Sequence, residues 1–219
     1  MMTSSSIEQE IQQKIQLFDV WALFYDDLIS SIFYKTLHRR LLDYLTLPKT
    51  PWVLDLGCGT GRLLDRLANI YPDLFGIGLD ISPEMLRQAR KSRRHAPRLL
   101  YIKGDAADLP TADQQFDAVF NTISFLHYPD PLQVLSEVYR TLKPEGKYYL
   151  IDWIGIPDNG DHEIPIGAGK IRLYSFSKRE EMGKQIGFNR IDHHWLLAGV
   201  GLTIFERKAR PSLIEREAD

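Results

Sequence analysis

The 219 residues fit within one large α/β domain, and a hydrophobic share of 44% suits a soluble globular core. With 27 basic against 29 acidic side chains the formal charge is −2, so no overall field draws the chain to nucleic acid or an anionic membrane. A single cysteine, Cys58, rules out an intrachain disulfide and, beside six scattered histidines, argues against a structural zinc site.

The N-terminus, Met1 to Ser6, lacks the apolar core of a signal peptide, and no apolar run reaches membrane-spanning length, so a cytoplasmic protein without membrane insertion is expected. From Ile7 to Leu47 the apolar residues recur at helical spacing, first Ile7, Ile11, Ile15 and Phe18, then Leu37, Leu41 and Leu45. Pro48 and Pro51 end that region.

Strands and helices then alternate. Pro51 to Leu56 reads as a strand, Thr60 to Tyr71 as a helix, and Leu74 to Leu79 as a second strand. Ser82-Pro83 and Asp130-Pro131 each place a capping side chain before a proline at the first helical position. Leu99 to Lys103, Phe116 to Asn121 and Lys147 to Trp153 complete five strands. Their nearly continuous apolar runs imply a parallel sheet buried on both faces by helices, joined by right-handed crossovers. Ile154 to Gly169 reads as irregular. Ser177 to Glu180 fits a capping box whose helix stops at Gly187. Phe188 to Trp195 and Val200 to Arg207 form a hairpin, hence an antiparallel edge on the parallel sheet. Pro211 to Asp219 reads as a tail.

Chemistry concentrates at Val53-Leu-Asp-Leu-Gly-Cys-Gly-Thr-Gly61, where a strand enters a glycine-rich turn that opens a helix. Gly57, Gly59 and Gly61 let the backbone turn sharply and let a ligand approach closely, and the helix start offers unpaired N–H groups to an anionic ligand group. Asp80 leaves the second strand where it can accept from ribose hydroxyls, which serves a nicotinamide cofactor equally well. Two features separate the readings. A buried Asp55 makes sense if it braces the loop or faces a cation such as an amino-acid ammonium, and Asp105 after the third strand can accept from an adenine amine. The nicotinamide fingerprint also needs Gly-x-Gly-x-x-Gly, whereas Arg62 follows a Gly-x-Gly-x-Gly loop here.

On these residues the sequence resembles a class I S-adenosylmethionine-dependent methyltransferase of the small-molecule, type 11-like group, over roughly residues 50 to 207. Val53 to Gly61 matches the family's first motif without gaps; Asp80 with Ser82-Pro-Glu-Met85 and Gly104-Asp105-Ala106 resemble its ribose and adenine loops. The resemblance implies a Rossmann-like three-layer sandwich, with a seven-stranded sheet in the order 3-2-1-4-5-7-6, in a single domain comprising a helical cap over residues 1–47, a core over 50–207 and a tail over 208–219. It implies S-adenosylmethionine as cofactor, contacted by Asp55, Gly57, Cys58, Gly59, Gly61, Asp80, Ile81, Met85, Asp105, Ala106 and Asn121. Glu145 stands where a second glycine is commoner, which is acceptable if that turn needs no positive φ.

The implied reaction is in-line attack of a small-molecule acceptor on the sulfonium methyl, chiefly a matter of alignment and water exclusion. A base is needed only if the acceptor loses a proton as it attacks. His127 after the fourth strand and Asp152 after the fifth are the candidates, each with packing or hydrogen bonding as the plainer role; Tyr25, His162 and Tyr174 follow. The N-terminal helices and Ile154 to Arg172 are expected to close over the acceptor. No Asn-Pro-Pro-Tyr follows the fourth strand and no paired-glutamate signature occurs, which disfavours nucleobase-amine and protein-arginine acceptors. The basic run from Arg87 to Arg98 reads as a solvated helix face rather than an RNA site, and His193-His194 face opposite sides of a strand. A catalytically silent binding protein of this fold, or less favourably a nicotinamide-dependent oxidoreductase, are the alternatives.

Overall fold

A computed structural model of the chain describes residues 4–21, 28–91, 95–155, 162–166 and 169–209. Two helices come first, α1 (Ser4–Trp21) and α2 (Leu28–Leu41). Then follow β1 (Trp52–Leu56), α3 (Arg62–Ile70), β2 (Phe75–Asp80), α4 (Pro83–Lys91), β3 (Leu99–Lys103), β4 (Phe116–Thr122), α5 (Pro131–Thr141) and β5 (Leu142–Trp153). The chain ends with β6 (His162–Ile166), β7 (Gly169–Leu173), α6 (Phe176–Ile186), β8 (Arg190–Leu197) and β9 (Val200–Glu206).

The seven-stranded sheet runs β3-β2-β1-β4-β5-β9-β8, parallel through β5 and antiparallel at β9 and β8. This is the expected order, with the terminal hairpin renumbered by an additional pair. That pair, β6 and β7, occupies part of the stretch expected to be irregular.

Alternation along the strands builds a core on each face. Leu54 and Leu56 of β1 join Val134, Leu135 and Val138 of α5 and Met182 of α6. Val53, one residue away, joins Leu37 and Leu41 of α2 and Leu63, Leu64 and Leu67 of α3 on the other face. Trp21 and Leu28 aside, residues 22–27 separate the two N-terminal helices; the Tyr25 candidate lies there, outside the described residues.

Helix starts follow local capping chemistry. Ser82 Oγ accepts from Met85 N at 3.1 Å, and Asp130 Oδ1 from Gln133 N at 3.0 Å. Helix α6 corrects the expected capping box: Ser175, not Ser177, is the cap, accepting from Lys178 N at 3.2 Å, while Glu180 pairs with Lys184 at 2.5 Å. Gly187, at φ 110°, ends that helix as expected.

Glu145 is a second correction, since it sits at φ 64°. A side chain in the left-handed region costs about 1 kcal/mol or more, which is why glycine is the easier choice there. Glu145→Gly is therefore expected to stabilise the chain by about 1 kcal/mol, seen as a higher denaturant midpoint at unchanged slope.

His38 anchors α2 with 5% exposure, its Nδ1 accepting from Arg66. Burial, helped by the Arg66 charge, pushes its pKa down to about 3. Since the folded value lies below the unfolded one, near 6.5, only the unfolded chain takes up this proton as pH falls from about 6.5 towards 3, and stability is lost in that window. Between pH 7.5 and 5 the native chain should lose about 2 kcal/mol relative to His38→Asn, which keeps an acceptor for Arg66 but does not titrate. Paired urea titrations at the two pH values measure this; an unchanged difference would show that His38 is solvated.

Candidate active site

The register sets the carboxyl ends of β2, β1 and β4 abreast, with Leu56 opposite both Leu79 and Asn121. The loops leaving them meet where the strand order reverses, the usual position for ligands on an open α/β sheet. The glycine loop is tied down at its start: Gly57 N and Cys58 N both donate to Leu79 O, at 2.8 and 3.1 Å. Gly57 has φ 65°, and a Cβ there would lie 2.4 Å from Ser124 Oγ, so only glycine fits. Asp80 braces the next turn, accepting from Gly59 N at 2.8 Å and Ser82 N at 2.9 Å.

These loops surround a cavity of about 890 Å³, the open solvent at its mouth included. Gly57, Gly59, Asp80, Ile81, Met85, Asp105, Ala106 and His127, all anticipated, line it. Asp105 Oδ1 accepts from Ala107 N at 2.9 Å, an Asx turn that leaves its second oxygen for a ligand. Asp55 and Cys58 line an adjoining cleft with Tyr34, His38, Thr60, Arg62 and Arg66. Burial, with the Asp80 charge second, holds the Asp55 carboxyl well above the usual range, so the neutral acid is favoured until a cation comes beside it. Burial likewise pushes the Cys58 thiol up, which leaves it unreactive.

Three expected site residues act behind the wall. Gly61 donates its N–H to Cys58 O at 2.9 Å and starts α3. Asn121 Nδ2 donates to Leu56 O at 3.2 Å and Tyr128 Oη at 2.9 Å. Asp152, expected to touch the acceptor, is 1% exposed and outside the cavity. Its carboxylate accepts from Leu126 N at 2.9 Å and Trp153 N at 2.8 Å, under the turn Phe125–His127. Burial raises its pKa to about 6 against the opposing pull of Arg179. Tyr174 is likewise core, edge-on to Phe125 at 5.5 Å.

The cavity roof was not anticipated in detail. Ile11, Lys14 and Phe18 of α1 and Tyr34 of α2 line it. Helix α1 is held by Glu10 to Arg172 of β7 at 2.9 Å, by Lys14 to the His127 carbonyl, and by Asp19 to Ser82 Oγ at 2.5 Å. Thus Arg172, in the Ile154 to Arg172 stretch expected to close over the acceptor, ties to α1 and does not line the cavity. The described part of the basic run is spent locally, with Arg87 on Glu84 at 2.7 Å and Arg90 on Tyr101 O at 2.7 Å.

Residues 53–146 match a family described as methyltransferase domain. The chain is 35% identical over 203 residues to the demethylmenaquinone methyltransferase of Lactobacillus johnsonii, covering 87% of this chain and 80% of that one. The chain belongs to the S-adenosylmethionine-dependent methyltransferases. The methyltransferase is also 30% identical to the botryococcene C-methyltransferase of Botryococcus braunii, over 71% of this chain but only 44% of that relative. Among solved structures, an S-adenosylmethionine-dependent methyltransferase from Aquifex aeolicus shares the fold, with TM-score 0.66, 20% identity and coverage of 86% and 97%. A Haloferax volcanii methyltransferase solved with its Trm112 activator does so at TM-score 0.71 and 22% identity, with coverage of 87% and 97%. Family membership sets aside the oxidoreductase alternative, and S-adenosylmethionine is the cofactor. The residues present suit it: a glycine turn at Gly57 without room for a Cβ, the Asp80 carboxylate on the cavity wall beside it, and a buried carboxyl, Asp55, in the adjoining cleft. No helix among the described residues is long and apolar enough to cross a membrane.

Proposed function

We propose that this methyltransferase acts on a small molecule held between the glycine loop and the roof of α1 and α2. The observation that carries the reading is the roof itself: Ile11, Phe18, Tyr34, Ile123 and Pro129 enclose an apolar recess joined to the cofactor wall of Gly57, Asp80 and Asp105. A polymer chain would have to displace α1 and its three polar ties, whereas a small apolar acceptor fits beneath them. The cofactor supplies an activated sulfonium methyl when bound.

In this reading Asp80 holds the ribose, Asp105 and Ala106 the adenine, and Asp55 the amino-acid ammonium. Gly57 and Gly59 let the cofactor approach, Ile81 and Met85 pack on its adenosine part, and Asn121 keeps Tyr128 and the end of β1 in register. His127 faces the acceptor as a neutral imidazole, because burial and then the Lys14 charge push its pKa down to about 3. Such a group orients an acceptor better than it removes a proton near neutral pH. The chain therefore works by alignment and water exclusion, an effect that reaches about 7–11 kcal/mol at best.

The test is formation of S-adenosylhomocysteine from S-adenosylmethionine in the presence of a solvent extract of cells or of the macromolecular fraction. Turnover is expected with the low-mass extract. Turnover confined to the macromolecular fraction would refute the reading, and none with either would favour a silent binding protein.

A further inference from the structure

Ile11, Lys14 and Phe18 recur at helical spacing and share the cavity face of α1. A lysine on that apolar face is unexpected, and Lys14 is only 4% exposed. An ammonium buried without full compensation costs several kcal/mol. Its counter-ion is Glu10, at 2.6 Å. The same carboxylate also serves Arg172, with Nη1 at 2.9 Å and Nη2 at 3.3 Å. Two buried cations thus share one buried anion. Glu163 reaches Arg172 Nε at 3.3 Å, but its side chain is 45% exposed and solvent screens it. Glu10 thus divides its charge between Lys14 and Arg172, with Glu163 reaching Arg172 from the solvent side.

An ammonium has three N–H donors. Glu10 and the His127 carbonyl take two of those on Lys14. Beside them His127 Nδ1 is buried with no hydrogen-bond partner among the described residues. The cavity's other charged groups, Asp80 and Asp105, stand on the cofactor side and are claimed there by adenosine hydroxyls and amine. On the acceptor side, then, one remaining ammonium donor and one orphan nitrogen converge in an apolar recess.

We propose that Lys14 is a specificity-determining residue that selects an acceptor bearing an acidic hydroxyl, phenolic or enolic, on a planar apolar body, and holds that oxygen as its anion. The proposal rests on the acceptor cavity assigned above. On binding, the hydroxyl releases its proton to solvent, and the oxyanion accepts from Lys14 Nζ while the ring packs on Phe18 and Tyr34. A charge-assisted hydrogen bond of this kind is about twice as strong as a neutral one.

The experiment titrates S-adenosylhomocysteine-saturated protein with 4-nitrophenol, whose anion absorbs apart from the neutral form, and with 4-nitroanisole, which cannot ionise. The phenol should bind at least about tenfold more tightly than the ether and be enriched in its anion relative to free probe. Lys14→Gln should lose both effects and Lys14→Arg should keep them. Calorimetry with S-adenosylhomocysteine on each protein reports folding and the cofactor site separately. If the unaltered chain fails to bind S-adenosylhomocysteine, the site assignment falls, not this inference alone. If it binds, then equal affinity for phenol and ether, a preference that survives in Lys14→Gln, or binding of neither probe would overturn the inference. Should Lys14→Gln not fold, the anion enrichment in the unaltered chain and its persistence in Lys14→Arg decide the matter.

Discussion

Asp80→Ala is expected to weaken S-adenosylhomocysteine binding by at least about 100-fold, the largest loss any single side chain of the cavity should produce. The carboxylate offers roughly four acceptor positions. Gly59 N and Ser82 N occupy two of them, at 2.8 and 2.9 Å. Ile81 N bears on the carboxylate as well, and on the proposed reading the acceptor capacity left over takes the ribose. Removing the side chain deletes those contacts and also frees the glycine loop and the start of α4, which Asp80 ties together. Asp80→Asn should be intermediate, since an amide oxygen accepts but its nitrogen cannot. Isothermal calorimetry measures all three proteins. A loss below tenfold in Asp80→Ala would mean that the ribose is held elsewhere.

The second large effect is on stability. Asp152→Ala should destabilise the fold by about 3–5 kcal/mol, because it leaves two backbone donors without their acceptor and removes the negative charge that offsets the buried Arg179. Arg179 is 1% exposed; its Nη2 donates to Trp153 O at 3.1 Å and its guanidinium faces the Asp152 charge. The donors are Leu126 N and Trp153 N. Asp152→Asn keeps an acceptor and should lose less. Urea unfolding compares them. The turn Phe125–His127 hangs on the same carboxylate, so loosening it should also show as faster amide exchange at Leu126. A destabilisation of less than 1 kcal/mol would contradict this account of the brace.

What could be read from sequence follows physical range. The glycine loop, Asp80 and Asp105 were legible because strand, turn and helix start are contiguous, and each acidic residue sits within a turn of its own strand end. Gly187 and the caps at Ser82 and Asp130 were legible for the same reason. That Asp152 and Asn121 lie off the cavity lining was not legible, because position at a strand's carboxyl end does not say whether a side chain faces the cavity or the layer beneath it. At α6 two serines compete for one cap, and Ser175 takes it because its extended backbone, φ −66° and ψ 165°, aims Oγ at Lys178 N. The roof was the least legible part. Glu10 meets Arg172 across 162 positions, and no local pattern announces that contact. One signal was present all the same: Lys14 interrupts the apolar stripe of Ile11 and Phe18, and a charge on a buried face asks for a partner.

The central claim is that one cavity, walled by the glycine loop, the Asp80 turn and the Asp105 turn and roofed by α1, binds the cofactor. Amide hydrogen exchange of the unaltered chain, with and without saturating S-adenosylhomocysteine, tests it most directly. Protection is predicted together at residues 57–61, 80–85 and 104–106, and along the cavity face of α1. Saturable binding that leaves those segments unprotected, or protects a different part of the sheet, would contradict it.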